Sequence, residues 1–222
     1  MKHGIFYAIL AIALGLALSQ ARPPETNREK QARRNVSSGL MHLFGCPVFI
    51  RIIKETRELE LWLQRHEEWQ LLKIYPIAAM SGELGPKEAE GDCQAPEGFY
   101  RAVPTALNPH SNYYLAFNIG YPNSYDLSLG RTGSYIMIHG SNVSIGCFAM
   151  TDPGIEEIYT LVAEAFRAGQ KYVPVQIYPF RMTPERMQQE KDHPHYDFWQ
   201  HLYPGWQHTE ERHEPWADAD NG

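Results

Sequence analysis

The sequence predicts a β-rich α+β domain with one packed helix and a helical C-terminal extension. Three observations lead there. Apolar and polar residues alternate between residues 48 and 77, and one amphipathic helix is signalled from about residue 152. Glycine- and proline-rich loops separate the remaining short apolar runs.

In chain order, residues 1–21 begin with the positive charge of Lys2. They continue through an apolar run to Leu18 and end on Ser19-Gln20-Ala21, a small-x-small site with cleavage expected before Arg22. That is the layout of a secretory signal peptide, short for a membrane span, with an uncleaved anchor as the alternative. The expectation is an exported protein of about 200 residues after cleavage, enough for one domain with extensions. A formal charge of −6 without a basic stripe gives no support for nucleic-acid binding. The three cysteines are an odd count for an exported chain. Cys46 and Cys93 could pair and leave Cys147 free, or all three could stay reduced.

Residues 22–44 read as a polar linker or N-terminal helix, a solvated arm in which Arg28, Lys30, Arg33 and Arg34 face Glu25 and Glu29. Residues 48–54 form a strand, 55–57 a turn and 58–63 a second strand with Leu59, Leu61 and Leu63 on one face. Residues 69–77 complete an antiparallel meander. Residues 81–100 hold four glycines and two prolines, a long structured loop of the kind that carries function. Residues 113–118 and 134–138 read as strands, with Tyr113 and Tyr114 facing opposite ways. Thr151 or Asp152 caps the helix, Pro153 suits its first turn and Gly169 follows its end. Ile155, Ile158, Tyr159, Val162, Ala163 and Phe166 make its single apolar face. Residues 173–178 are the next strand, Thr183-Pro184 opens a short helix, and the tail after Tyr203 is expected to be loose. His193, His195, His201, His208 and His213 are irregularly spaced and supply no metal-ligand pattern, so neither metal nor cofactor is expected. Trp199, Tyr203 and Trp206 suit docking of the extension onto the core.

The chemistry centres on residues 136–150. An apolar strand runs into His139, Gly140 turns the chain, and Cys147 follows Gly146 just ahead of the capped helix. A cysteine nucleophile needs a base within reach and an orienting group behind that base. Gly146, lacking a side chain, lets backbone amides approach a developing oxyanion. Spacing alone suits a buried structural cysteine and a satisfied histidine equally well.

The residues also resemble a known family. Ile138-His139-Gly140 followed by Ser144-x-Gly146-Cys147 is similar to the signature of the L,D-transpeptidase catalytic (YkuD) domain. Gly82-x-Leu84-Gly85-Pro86-Lys87, Gly91-Asp92, Pro96-Glu97-Gly98-Phe99-Tyr100, Asn118-Ile119-Gly120-Tyr121-Pro122-Asn123 and Ile177-Tyr178-Pro179-Phe180-Arg181-Met182 extend the likeness. It covers residues 45–182, leaving 183–222 as the extension, and is greatest for the YafK-like branch, which includes an amidase that frees outer-membrane lipoprotein from peptidoglycan. The resemblance implies a β-rich sandwich with mixed sheets and a periplasmic enzyme acting on peptidoglycan stem peptides. It implies Cys147 as nucleophile through a thioester, His139 as base, Gly140 or Ser141 as the backbone orienting the imidazole, and the Gly146 region as oxyanion hole. The wider family usually has His where Ile145 stands and Arg where Ala149 stands. Arg181 or Lys87 could therefore grip a substrate carboxylate instead, with Tyr121 as a further substrate contact. Hydrolysis of a stem-to-lipoprotein amide, transpeptidation between stems and a non-catalytic peptidoglycan scaffold are the readings to separate. Retention of both Cys147 and His139 argues against the scaffold, and the His-before-Cys order is unlike papain-type proteases.

Overall fold

A computed structural model describes residues 24–217, so the expected signal at residues 1–21 lies outside the described residues. Thr26 opens α1 (Asn27–Asn35) with a capping box: its hydroxyl accepts from the Glu29 amide, and the Glu29 carboxylate accepts from the Thr26 amide. The arm expected to be solvated is docked instead. Ala32 is fully buried, the Tyr159 hydroxyl donates to Glu29, and Arg28 donates to the carbonyls of Ser111 and Tyr114.

β1 (Val48–Ile53), β2 (Glu58–Arg65) and β3 (Glu68–Pro76) form the antiparallel meander. The chain continues through β4 (Gly98–Ala102), β5 (Leu107–Asn108), β6 (Ala116–Asn118), α2 (Ser124–Ser128), β7 (Met137–His139) and β8 (Phe148–Ala149). It ends with α3 (Asp152–Arg167), β9 (Val173–Tyr178), α4 (Pro184–Gln189) and α5 (Tyr196–Arg212). One sheet runs β3-β2-β1-β9-β4, the other β5-β6-β7-β8. Each is mixed, because β1 pairs parallel with β9 and β7 parallel with β8. Ile50, Ile52, Leu59, Leu61, Val175 and Ile177 of the first sheet join Phe117, Ile138 and Phe148 of the second in one apolar cluster with the inner face of α3. The Thr151 hydroxyl caps α3 at the Gly154 amide, and Pro153 sits where an unpaired N–H would otherwise point outward.

Two strand expectations shorten. Tyr114 and Tyr135 adopt φ of 71° and 57°, which a regular strand cannot hold, so β6 starts at Ala116 and β7 at Met137. Tyr113 and Tyr114 are loop residues, not an in-and-out strand pair.

Through residue 217 the tail after Tyr203 is not loose, and α5 packs on the domain as α3 does. β1 is buried at every position because α5 covers its second face. Arg51 donates to Glu60 at 2.7 Å and to Glu210 of α5 at 2.6 Å, with its guanidinium over the Trp62 and Trp206 rings. The extension's histidines serve as ring partners: His193 stacks on Trp199, His201 on Tyr125 and His213 on Trp62. Trp199, fully buried, donates its indole N–H to Glu97 at 2.8 Å. Glu97 in turn pairs at 2.9 Å with the buried Lys54, whose ammonium also donates to the Gly85 and Ala95 carbonyls. Every ammonium proton is thereby engaged, which is what makes a buried charge tolerable. α5 and the end of β1 thus brace the loop of residues 81–97 from beneath. Trp199→Ala is expected to cost about 3–5 kcal/mol and to lower Tm by on the order of 10 °C, measured by thermal denaturation. A shift of only a degree or two would show that α5 is not structurally coupled to the core.

Candidate active site

β7 carries the chain into the site and β8 leaves it. The parallel register sets Ile138 beside Phe148 and His139 beside Ala149, so Cys147, one residue before β8, lies level with Met137. Side chains two apart share a face of a sheet, which puts Cys147 and His139 on the same face as diagonal neighbours, Cα atoms about 8 Å apart. The Cys147 sulfur accepts from the Met137 amide at 3.4 Å and its thiol points to the Tyr135 carbonyl at 3.7 Å. Burial pushes the thiol pKa up, against the Met137 bond and the Lys87 charge. Burial also pushes the His139 imidazole down, against its bond to Gly140. Both shifts disfavour charge, so the resting pair is a neutral thiol and a neutral imidazole.

The tautomer of that imidazole is set by its neighbour. His139 Nδ1 lies 2.6 Å from the Gly140 carbonyl, which can only accept, so Nδ1 carries the proton and Nε2 presents a lone pair. Of the two orienting candidates, Gly140 makes this bond. Ser141, at φ 65°, gives its amide to the Asp152 carboxylate at 2.8 Å, while its carbonyl accepts from the Thr151 amide at 2.8 Å. The Gly140 amide donates to the Leu115 carbonyl at 3.0 Å. The loop after His139 is therefore stitched to the start of α3 on one side and to the Tyr113–Leu115 stretch on the other. The Tyr113 ring, half exposed, lies 4.9 Å from the imidazole and screens it from solvent.

Cys147 opens into a cleft of about 140 Å³ whose lining includes Lys87, Glu90, Cys93, Tyr135 and Ile145. Lys87 is only 5 % exposed, and its ammonium donates to Asp92 at 2.5 Å and to the Ala89 carbonyl at 2.8 Å. Burial works against the Asp92 charge, but bonds from the Ala89 amide, Lys87 and the Glu88 and Gln94 amides hold that carboxyl down at about 2. Lys87 thus sits in the cleft as a cation already held by a carboxylate.

Three assignments need correction, and the cysteine alternatives resolve to three free thiols. Arg181 does not reach the cleft: it bonds Glu58 at 2.8 Å and Glu60 at 3.1 Å beside the outer face of the large sheet. Tyr121 is 4 % exposed, and its hydroxyl is occupied by the Lys87 and Thr132 carbonyls, so it braces loops and cannot meet substrate. The Gly146 amide donates to the Ser81 hydroxyl at 2.7 Å, so it is committed to the protein and does not face an oxyanion. Cys46 and Cys93 are both free; Cys93 lines the Cys147 cleft, while Cys46 lies near Gln64 and Ala168.

The L,D-transpeptidase catalytic domain (YkuD) pattern matches residues 47–177, which include every strand but the last residue of β9, and the Cys147–His139 pair. The chain belongs to the L,D-transpeptidase catalytic domain family. Over 173 residues it is 49 % identical to YafK of Escherichia coli K12, whose own L,D-transpeptidase name is provisional, covering 78 % of this chain and 70 % of that protein. Among solved structures, the helical cell shape determining protein Pgp2 of Campylobacter jejuni aligns with a TM-score of 0.48 at 21 % identity, over 71 % of this chain and 57 % of Pgp2. L,D-transpeptidase 1 of Mycobacterium tuberculosis aligns with a TM-score of 0.32 at 15 % identity, over 60 % of this chain and 62 % of its own. This chain spans less than two thirds of either solved chain.

Within this L,D-transpeptidase domain, sequence reading missed Ser81, Tyr113 and Asp152. Asp152 was legible only as a possible helix cap, and Ser81 only as one residue of a turn-rich loop. Their contacts with the site cross 11 residues for Asp152 and 65 for Ser81, and no local periodicity reports contacts of that kind.

Proposed function

We propose that the chain is an exported, periplasmic cysteine acyl-transfer enzyme acting on diaminopimelate-containing peptidoglycan stems, and that it hydrolyses the amide joining a stem to an attached lipoprotein. Family membership implies the peptidoglycan substrate. The observation that carries the chemistry is the imidazole tautomer: with Nδ1–H held by Gly140, Nε2 is free to accept a proton on the face it shares with Cys147.

Nε2 takes the thiol proton as the sulfur attacks the stem carbonyl, and the Cys147 amide receives the oxyanion. Collapse breaks the C–N bond, His139 returns its proton to the departing amine, and a thioester remains. Water, deprotonated by the same Nε2, then attacks the thioester; the products are a free stem carboxylate and the restored thiol. Because burial disfavours both charges, proton transfer accompanies attack instead of preceding it as a standing thiolate–imidazolium pair. Ile145 and Ala149, standing where the wider family usually has His and Arg, support the hydrolytic YafK-like outcome.

The test uses purified chain lacking residues 1–21, peptidoglycan bearing covalently attached lipoprotein, and Cys147→Ala as control, followed by mass spectrometry. Cys147-dependent release of lipoprotein without new crosslinks is expected. New stem-to-stem crosslinks without release would replace hydrolysis by transpeptidation, and neither product would remove the catalytic reading.

A further inference from the structure

We propose that Ser81 is a positioning residue that fixes the oxyanion turn at Gly146-Cys147, an inference that rests on the thioester reading above. Its hydroxyl accepts from the Gly146 amide at 2.7 Å and donates to the Cys93 carbonyl at 2.6 Å, so one oxygen joins the nucleophile turn to the facing loop. The Ser81 carbonyl also accepts from the Ala95 amide at 3.0 Å, which ties the serine to the 93–95 segment by its backbone as well. That segment cannot drift, because the Ala95 carbonyl is gripped by the buried Lys54 of the Lys54–Glu97 pair.

The two segments touch closely. A Cβ on Gly146 would lie 3.3 Å from the Gln94 carbonyl oxygen, and one on Gly82 would fall 2.0 Å from the Gln94 side chain. Gly146, at φ 89°, is backbone that a side chain would strain, and without an anchor such a turn has several orientations open to it. Ser81 removes that freedom by pulling the Gly146 N–H away from the cleft. On the other side, the Ser144 hydroxyl donates to the Cys147 carbonyl at 2.7 Å and turns it back into its own loop. With the amide before Cys147 and the carbonyl after it both held, the Cys147 N–H is left beside its own sulfur. A displacement of about 1 Å in such a donor is enough to cost on the order of a hundredfold in rate.

The experiment separates reactions that build an oxyanion from one that does not. Acylation of Cys147 by p-nitrophenyl acetate passes through a tetrahedral oxyanion; alkylation by iodoacetamide at pH 10, where hydroxide can take the thiol proton without His139, does not. Wild type, Cys147→Ala, Ser81→Ala and Ser81→Thr are compared in the protein lacking residues 1–21, with Tm recorded for each. Ser81→Ala is expected to slow acylation about tenfold to a hundredfold while alkylation stays at the wild-type rate, and Ser81→Thr, which keeps the hydroxyl, to recover most of the loss. Wild-type acylation by Ser81→Ala would overturn the proposal, as would a parallel fall in acylation and alkylation, which marks a general collapse of the site. If wild type acylates no faster than Cys147→Ala, the thioester reading itself fails, a result distinct from either of these.

Discussion

His139→Ala is expected to lower Cys147-dependent acylation at pH 7 by about 10²–10⁴-fold. The size follows from the two burial effects at the site. Cys147 is pushed above the ordinary thiol range, so little thiolate stands ready at neutral pH, and attack depends on a base that removes the proton during the reaction. His139 is pushed below its ordinary value, so Nε2 keeps its lone pair at pH 7 and for some distance below it. The sign is then fixed for the wild type. Its acid limb should fall below the unperturbed histidine value of about 6.5, because the imidazole must lose its proton to act. In His139→Ala that limb should vanish, and the rate should instead climb about tenfold per pH unit until the thiol ionises. At pH 10 the variant and wild type should alkylate at similar rates, which shows that the thiol remains accessible. A variant that keeps the wild-type profile would remove His139 from the mechanism, and an acid limb well above 6.5 would contradict the neutral resting pair.

Gly140→Ala should be nearly as damaging by a steric route. An added Cβ would lie 2.7 Å from the Asp152 carboxylate, 2.8 Å from the Tyr113 carbonyl and 3.1 Å from Ile155. Two of these neighbours cannot step aside cheaply. The Tyr113 carbonyl is backbone, in a stretch whose flanking carbonyls are held by Arg28, and Asp152 is engaged by the Ser141 amide at the first turn of α3. The chain at residue 140 must move, and with it the carbonyl that sets the His139 tautomer. The expected cost is about 1–3 kcal/mol in stability, together with about a hundredfold loss of kcat/KM from misplacing the imidazole. Thermal denaturation and the p-nitrophenyl acetate assay measure the two effects separately. A folded Gly140→Ala protein with full activity would show that the Gly140 carbonyl does not position the base.

The meander, the long helix and β9 were legible because each is written in a local period: alternation from Val48 to Pro76, an apolar stripe from Ile155 to Phe166, and a short apolar run from Val173 to Tyr178. The alternate positions Arg51, Glu60 and Trp62 fall on the opposite face by period, and period alone does not reveal that this face is covered. What buries them is α5, whose own apolar residues are interrupted by His201, Pro204 and Gln207 and so give a weak stripe. Cys147 and His139 stood out because a strand end, a glycine turn and a helix cap frame them within fifteen residues. Arg181 and Tyr121 misled for a single reason: a sequence displays a cation or a phenol, but not the carboxylates or carbonyls that already occupy it. Ser81 stayed hidden because its significance lies wholly in a bond to Gly146, far along the chain.

The Lys54–Glu97–Trp199 relay has a consequence for the order in which the molecule matures. A chain emerging N-terminus first delivers His139 and Cys147 well before Trp199, yet the loop that faces Cys147 is held by a carboxylate that needs Trp199 and Lys54 together. Until α5 arrives, Glu97 lacks one of its partners and the 81–97 loop lacks its brace. The cleft therefore takes its final form last, set by the closing helix instead of by synthesis of His139 and Cys147, and a half-made chain carries the thiol with its facing loop still unbraced.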